Sequence, residues 1–277
     1  MKIICQVCMH HCALEPGQTG LCRARKNTGG EIICENYGWI TALALDPIEK
    51  KPLYEFHRGS TILSVGSYGC NLRCPFCQNH EISMTDRGDL DAEYLSPREL
   101  AETALTWKKE KRVENIGVAY TYNEPLVGWE FVRDTARLVR EYGMQNVLVT
   151  NGTAGPETLE ELLPWIDAMN IDLKGFREAY YRKLGGDLET VKAFIARAVE
   201  SCHVELTTLI VPGENDSLED MEAQAKWISG LRPSIPLHIN RFFPRYRMRD
   251  REATDVGQLY RLAGTAEKYL EKVYVGN

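Results

Sequence analysis

No run of this chain approaches the roughly 20 apolar residues that a membrane-spanning helix needs. The opening stretch, Met1 to Cys5, is far too short in apolar residues for a secretory signal. Basic charge is not in surplus either. With 33 Lys and Arg against 39 Asp and Glu the net charge is −6, which argues against nucleic acid as a partner. Internal repeats, low-complexity tracts and long linkers are all missing. The nine cysteines fall in short clustered spacings that fit metal ligation in a reducing compartment, the cytoplasm, better than disulfides. At 277 residues and 44% hydrophobic content, one large α/β domain plus an extension can bury a sizeable core.

A further absence says most. Cys70, Cys74 and Cys77 stand at C-x3-C-x2-C spacing, and no fourth cysteine lies near them. Three thiolates hold three corners of a [4Fe–4S] cube and leave one iron open to a non-protein ligand. A zinc knuckle competes with this reading, but structural zinc closes with four ligands. His80 is the nearest other donor and reads as a loop residue. A second set, Cys5, Cys8, Cys12 and Cys22, encloses His10 and His11. Four thiolates suit a structural zinc ion or an auxiliary iron–sulfur cluster, and spacing does not choose between them. Unligated thiols are the third reading there. Cys34 and Cys202 read as ordinary buried thiols.

The three-cysteine motif, with aromatic Phe76 before its last member, resembles that of the radical S-adenosylmethionine (SAM) enzymes. The resemblance implies that SAM chelates the open iron of a [4Fe–4S] cluster. One electron, from a flavodoxin- or ferredoxin-like donor, then cleaves SAM to methionine and a 5′-deoxyadenosyl radical that abstracts hydrogen from a substrate.

Residues 1–58 are cysteine- and turn-rich, with a hairpin turn expected at Thr28 to Glu31, and read as a small N-terminal extension. Residues 59–277 alternate β-branched runs with amphipathic patterns. The runs are 61–65, 115–119, 146–150, 169–173, 204–211, 236–240 and 272–275. Helical patterns lie near 97–111, 126–142, 156–166, 188–202, 217–230 and 254–270. This alternation predicts parallel βαβ units in an α/β fold, a partial (β/α)6-type barrel of the radical SAM kind. A doubly wound open sheet is the alternative.

The unusual residues follow the runs, on the face where barrel active sites assemble. Asn123-Glu124 stands where radical SAM enzymes usually carry Gly-Gly-Glu, which implies that Glu124 meets the SAM ammonium group. The competing reading is a helix start, with Asn123 as cap and Pro125 in the first turn. Asn151 is either a turn residue or a cofactor contact. Asp172 and Lys174 are either a surface ion pair or contacts to SAM or substrate, as in the Asp-Leu-Lys of pyruvate formate-lyase activating enzymes. Leu209 to Asp216 resembles a turn of the same enzymes, and Asn215 or Asp216 is also expected to cap the next helix. His238 and Asn240 share one strand face, so His238 reads as a mouth residue or as a satisfied core histidine. Arg245 to Arg251 interleaves arginines with aromatics, suited to an acidic partner or a solvated loop.

Taken together, the N-terminal cysteines, Asp46 to Leu53, Tyr120 to Pro125, Arg241 to Pro244 and the closing Val273 to Asn277 resemble the radical SAM member of the AmmeMemoRadiSam system. That family is related to pyruvate formate-lyase activating enzymes. It implies association with AMMECR1-domain and Memo-like proteins. Its members continue past the Val-Gly-Asn with a further cysteine pair, where this chain stops. A non-catalytic iron–sulfur or zinc module, sensing redox state or docking a partner, is the reading from another class.

Overall fold

The β-branched runs become strands of one eight-stranded sheet. The computed structural model describes residues 1–86, 88, 90–110 and 115–276. The expected helix end at 111 and the closing Asn277 lie outside the described residues. Seven strands are parallel: Thr61–Gly66, Asn115–Tyr120, Gln145–Thr150, Ala168–Asp172, His203–Ile210, Leu237–Arg241 and Val273–Gly276. They neighbour one another in chain order. A doubly wound sheet would reverse direction at a switch point, and this sheet does not. Among the described residues its two ends do not pair with each other, so the barrel is partial, with six βα units.

The eighth strand, Ala42–Pro47, lies inside the span read as the N-terminal extension. It runs antiparallel along Thr61–Gly66, pairing Ala42 with Gly66 and Pro47 with Thr61. Before it come two short antiparallel pairs. Ile3–Ile4 joins Ala13–Leu14, and Arg25–Asn27 joins Ile32–Cys34 around the expected hairpin turn. Buried Arg25 anchors this region, its guanidinium gripping both carboxylate oxygens of Glu130 at 2.6 and 2.5 Å.

Helices Pro97–Glu110, Trp129–Glu141, Pro156–Leu162, Leu188–Ala198, Leu218–Leu231 and Val256–Ala266 follow the expected patterns. Their apolar faces pack on one side of the sheet through Leu100, Val132, Leu159, Phe194, Ile228 and Leu262. A seventh, Glu178–Leu184, has no counterpart in the expected patterns. Ser217, not Asn215 or Asp216, caps Leu218–Leu231 by accepting from the Asp220 amide at 3.1 Å. Asn215 instead stitches its own loop, accepting from Val211 N and donating to the Lys174 and Leu209 carbonyls.

The other sheet face lines the barrel interior. Near the strand starts, Ile62, Ile116, Val147 and Ala168 pack on Ile48 and Leu53, which form an apolar floor. The segment after Leu53 crosses that floor. Tyr54 N and Glu55 N donate to Glu205 at 3.0 and 2.8 Å, and Asn170 donates to the Pro52 carbonyl at 2.8 Å. The Glu205 side chain is fully buried and also bonds His238 at 2.6 Å and His203 at 2.9 Å. Burial alone would raise its pKa, but the two imidazoles and two amides outweigh burial and hold it at about 2. A carboxylate held below its ordinary value contributes stability above the unfolded pKa and loses it as pH falls. The urea midpoint is therefore expected to drop between about pH 4.5 and pH 2, and Glu205→Gln to flatten that part of the profile.

Candidate active site

The cysteine loop leaves the first parallel strand through Gly69, whose φ of +89° disfavours any side chain. An added Cβ would also lie 2.5 Å from the Cys22 carbonyl oxygen, so the loop and the N-terminal region meet backbone to backbone. Further bonds hold the loop from three directions. Gly69 N donates to Ile82 O, Arg73 N to Leu184 O, and Arg247 N to Pro75 O. Phe76 and Leu72 are buried with Cys74 among Tyr180, Leu184, Val211, Phe242 and Met248. Phe76 thus forms part of the apolar wall that shields the cysteines from water.

Cys70, Cys74 and Cys77 open onto a cavity of about 390 Å³. Its walls come from the successive strand exits: Glu124, Asn151, Asp172 with Lys174, Leu209 and Asn240. Burial raises the thiol pKa values, that of Cys74 to about 11, that of Cys70 well above normal, and that of Cys77 in the same direction. Metal binding replaces such protons, and three thiols gathered on one cavity wall fit a thiolate-bound metal group. Among the described residues, no three His, Cys, Asp or Glu side chains are arranged to hold a single metal ion. The donor set suits a polynuclear cluster with three thiolate corners.

Glu124, not Asn123, caps the turn Pro125–Gly128, accepting from Leu126 N at 3.1 Å. The same oxygen accepts from Thr150 Oγ1 at 2.7 Å, and the other accepts from Asn151 N at 2.8 Å. Those donors pull its pKa down, yet burial prevails and raises it to about 7. Three of roughly four lone-pair positions are filled, leaving one for a ligand. Asn123 is a brace: it accepts from Ser67 N and donates to the Tyr68 and Gly69 carbonyls. Asn151 donates to Asn71 Oδ1 at 2.9 Å and approaches Cys70 Sγ at 3.8 Å.

Asp172 and Lys174 form a 2.8 Å ion pair inside the cavity, not on the outer surface. Burial lowers the Lys174 pKa, but the adjacent carboxylate and the Cys74 thiolate outweigh it and raise the net value. His238 is not brought to the cavity. It lies nearer the strand starts, on Glu205, with Tyr54 edge-on at 4.7 Å and Tyr274 stacked at 5.2 Å. Asn240, two residues on, does line the cavity.

The second cysteine set also converges. Cys5, Cys8, Cys12 and Cys22 line one small cavity with His10 and Arg25. All nine cysteines are free of disulfides.

Sequence reasoning missed several wall residues. Tyr122, in a left-handed conformation at φ +71°, donates to Asp46 at 2.7 Å beneath buried Lys51, which pairs with the same carboxylate at 2.8 Å. Asn170 and Thr207 bond each other at 3.0 Å across neighbouring strands. Polar side chains within the strand runs, Asn170 between Met169 and Ile171 and Thr207 beside Thr208, were the available signal for the latter pair.

Comparison with known proteins adds a common origin to this geometry. Residues 64–227 match the model of the radical SAM superfamily. An uncharacterised protein of Methanocaldococcus jannaschii is 37% identical over 286 aligned positions, spanning 100% of this chain and 81% of that protein. The pyruvate formate-lyase-activating enzyme of Clostridium pasteurianum is 29% identical over 74% of this chain and 88% of its own. Among solved structures, a radical SAM methyltransferase from Sphaerobacter thermophilus superposes with a TM-score of 0.59 at 16% identity, covering 79% of this chain and 67% of its own. A domain of a pyruvate-formate lyase-activating enzyme from Bacteroides vulgatus gives 0.51 at 21% identity, covering 58% and 99%. At such identities these structures speak for the fold alone.

Proposed function

Since this chain belongs to the radical SAM superfamily, we propose that it is an enzyme that cleaves SAM reductively and removes hydrogen from a protein or peptide-like substrate. The observation that carries this reading is that Cys70, Cys74 and Cys77 open onto a cavity walled by successive strand exits. A [4Fe–4S] cluster held by these thiolates supplies the open iron for SAM and the electron that splits its sulfonium bond.

The chain's own groups do the rest. The remaining lone pair of Glu124 accepts from the amino group of SAM, and Asn151 stands beside it as a second polar contact. Asp172 and Lys174 meet the ribose hydroxyls and the carboxylate. Phe76 and Leu72 keep water away from the cysteine side of the cavity. His238, expected at the mouth, serves the floor instead.

The curated relative named as a pyruvate formate-lyase-activating enzyme supports hydrogen removal from a protein backbone glycine as the substrate class. A flavodoxin- or ferredoxin-like protein is the expected electron donor. The finer assignment is to the AmmeMemoRadiSam branch, with AMMECR1-domain and Memo-like partners, on the motifs quoted above. Nine free cysteines suit a reduced cytoplasm. Among the described residues, no helix is long and apolar enough to cross a membrane.

The test is anaerobic reconstitution with iron and sulfide, reduction by dithionite, and addition of SAM. 5′-Deoxyadenosine is expected to form, and SAM to alter the electron paramagnetic resonance (EPR) spectrum. Replacing Cys70, Cys74 and Cys77 by Ala is expected to abolish both signals. A wild-type yield equal to that of the triple variant would overturn the enzyme reading in favour of a non-catalytic metal module.

A further inference from the structure

The two cysteine sets, far apart in sequence, touch in the fold at two points. One is the backbone contact of Gly69 with Cys22, immediately before Cys70. The other is a side-chain path. Cys8 shares a hydrogen bond with the Asn71 side chain. Asn71 Oδ1 accepts at 2.9 Å from Asn151 Nδ2, which also approaches Cys70 Sγ at 3.8 Å. Two amide groups therefore connect a thiol of one set to a thiol of the other.

The path is braced throughout. His10, on the wall of the N-terminal cysteine cavity, donates through Nε2 to the Asn71 carbonyl at 2.7 Å. Asn71 Nδ2 donates to Thr153 Oγ1 at 2.8 Å, and Thr153 donates to Asn151 Oδ1 at 2.5 Å. Cys8 itself forms a bridge with Ala154, and the next residue, Met9, donates from its amide to Thr153 O at 3.3 Å. Asn71, Asn151 and Thr153 are all buried. Buried polar networks that are fully satisfied are rigid, and rigidity keeps reorganisation small when charge moves.

The catalytic cavity must hold SAM and give its mouth to a substrate, so a bulky protein donor cannot approach by that route at the same time. The N-terminal set lies off that cavity and comes close to the surface at its edges. Cys12 is half-buried, and the neighbours of Cys5 and Cys22, Ile4 and Leu21, are exposed at 53% and 62%.

We propose that Cys5, Cys8, Cys12 and Cys22 hold a second [4Fe–4S] cluster that relays an electron to the SAM-binding cluster through Asn71 and Asn151. The proposal rests on the SAM-cleaving function set out above. A soluble one-electron donor, of the reduced flavodoxin class, reduces the second cluster. That cluster passes the same electron inward and returns to its oxidised state. The electron ends on the sulfonium of SAM, where the S–C5′ bond breaks, and no proton moves at either cluster. A zinc ion at the N-terminal set would hold the same thiols but carry no electron.

Full-length protein is reconstituted and assayed for iron, sulfide and zinc. Wild type is expected to carry about eight irons, and Cys12→Ala with Cys22→Ala roughly four. In the double variant SAM should still alter the remaining EPR signal. Flavodoxin-driven 5′-deoxyadenosine formation should fall at least tenfold. Asn71→Leu covers the case in which the double variant does not fold. It is expected to keep about eight irons and the response to SAM, to lose the relaxation coupling between the two EPR signals, and to slow the flavodoxin-driven reaction similarly.

One zinc with roughly four irons in wild type would overturn the relay. So would flavodoxin-driven turnover at the wild-type rate in either variant. Absence of any SAM effect on wild-type EPR would instead sink the SAM-cleaving function itself, which separates the two failures.

Discussion

Gly69→Ala is expected to leave the protein without measurable SAM cleavage and with both cysteine sites depleted of iron. The substitution meets two penalties at once. A φ of +89° costs an L side chain roughly 1–2 kcal/mol. The new methyl would also lie 2.5 Å from the Cys22 carbonyl oxygen and 3.3 Å from the Ala24 side chain. The first of these is backbone, which cannot swing aside as a long side chain would. Relief requires either Cys22 or Cys70 to shift, and each belongs to one of the two proposed ligand sets. Gly213→Ala is the matched control, because Gly213 has φ +75° with nothing within 4 Å of an added Cβ. Strain without collision should leave its iron content near wild type. Iron and 5′-deoxyadenosine assays on both variants decide the matter, and a Gly69→Ala protein with full iron would show that the contact is not restrictive.

Glu205→Ala should cost about 3 kcal/mol or more, because each buried donor left without its acceptor costs about 1–3 kcal/mol. Four donors lose their acceptor together: the amides of Tyr54 and Glu55, and the rings of His203 and His238. His238 is only 2% exposed, so its ring is cut off from bulk solvent when the carboxylate is removed. Total stabilities run at about 5–15 kcal/mol, so such a loss brings the protein close to unfolding at physiological temperature. Urea and thermal melts measure it, and a loss below about 1 kcal/mol, the worth of a surface pair, would contradict the assignment. His203→Gln should cost less, because the His203 side chain is already 30% exposed.

Much of this architecture was legible because strands and helices leave local periodic marks. The seven parallel strands fall within about a residue of the β-branched runs. The cluster motif and the polar strand exits were legible for the same local reason. Depth was not. A period of two tells which face His238 and Asn240 share, yet not that one lies at the floor and the other at the mouth. Glu205 stood in plain view inside an apolar run, but its four partners come from distant segments. The strand Ala42–Pro47 was hidden by its cysteine-rich surroundings. Glu178–Leu184 is too short for a clear helical period, and its end at Gly185 (φ +76°) was the mark to look for. Glu124 caps where Asn123 was expected to, because Asn123 is committed to the cysteine loop. Contact between the two cysteine sets depends on the packing of loops and has no local signature.

The segment that crosses the floor bears on the order in which the molecule assembles. Glu55 bonds Lys272 and Tyr274, more than 200 residues later in the chain. Loops of that length are slow to close, and such contacts form late in folding. During synthesis the early strands emerge while the last strand is still unmade. Glu55 must therefore wait, although Leu53 beside it already packs on Ile62, Ile116 and Val147 of the earlier strands. Closing the barrel interior between Glu55 and the last strand is then a late step in folding, made after the strands between them have paired.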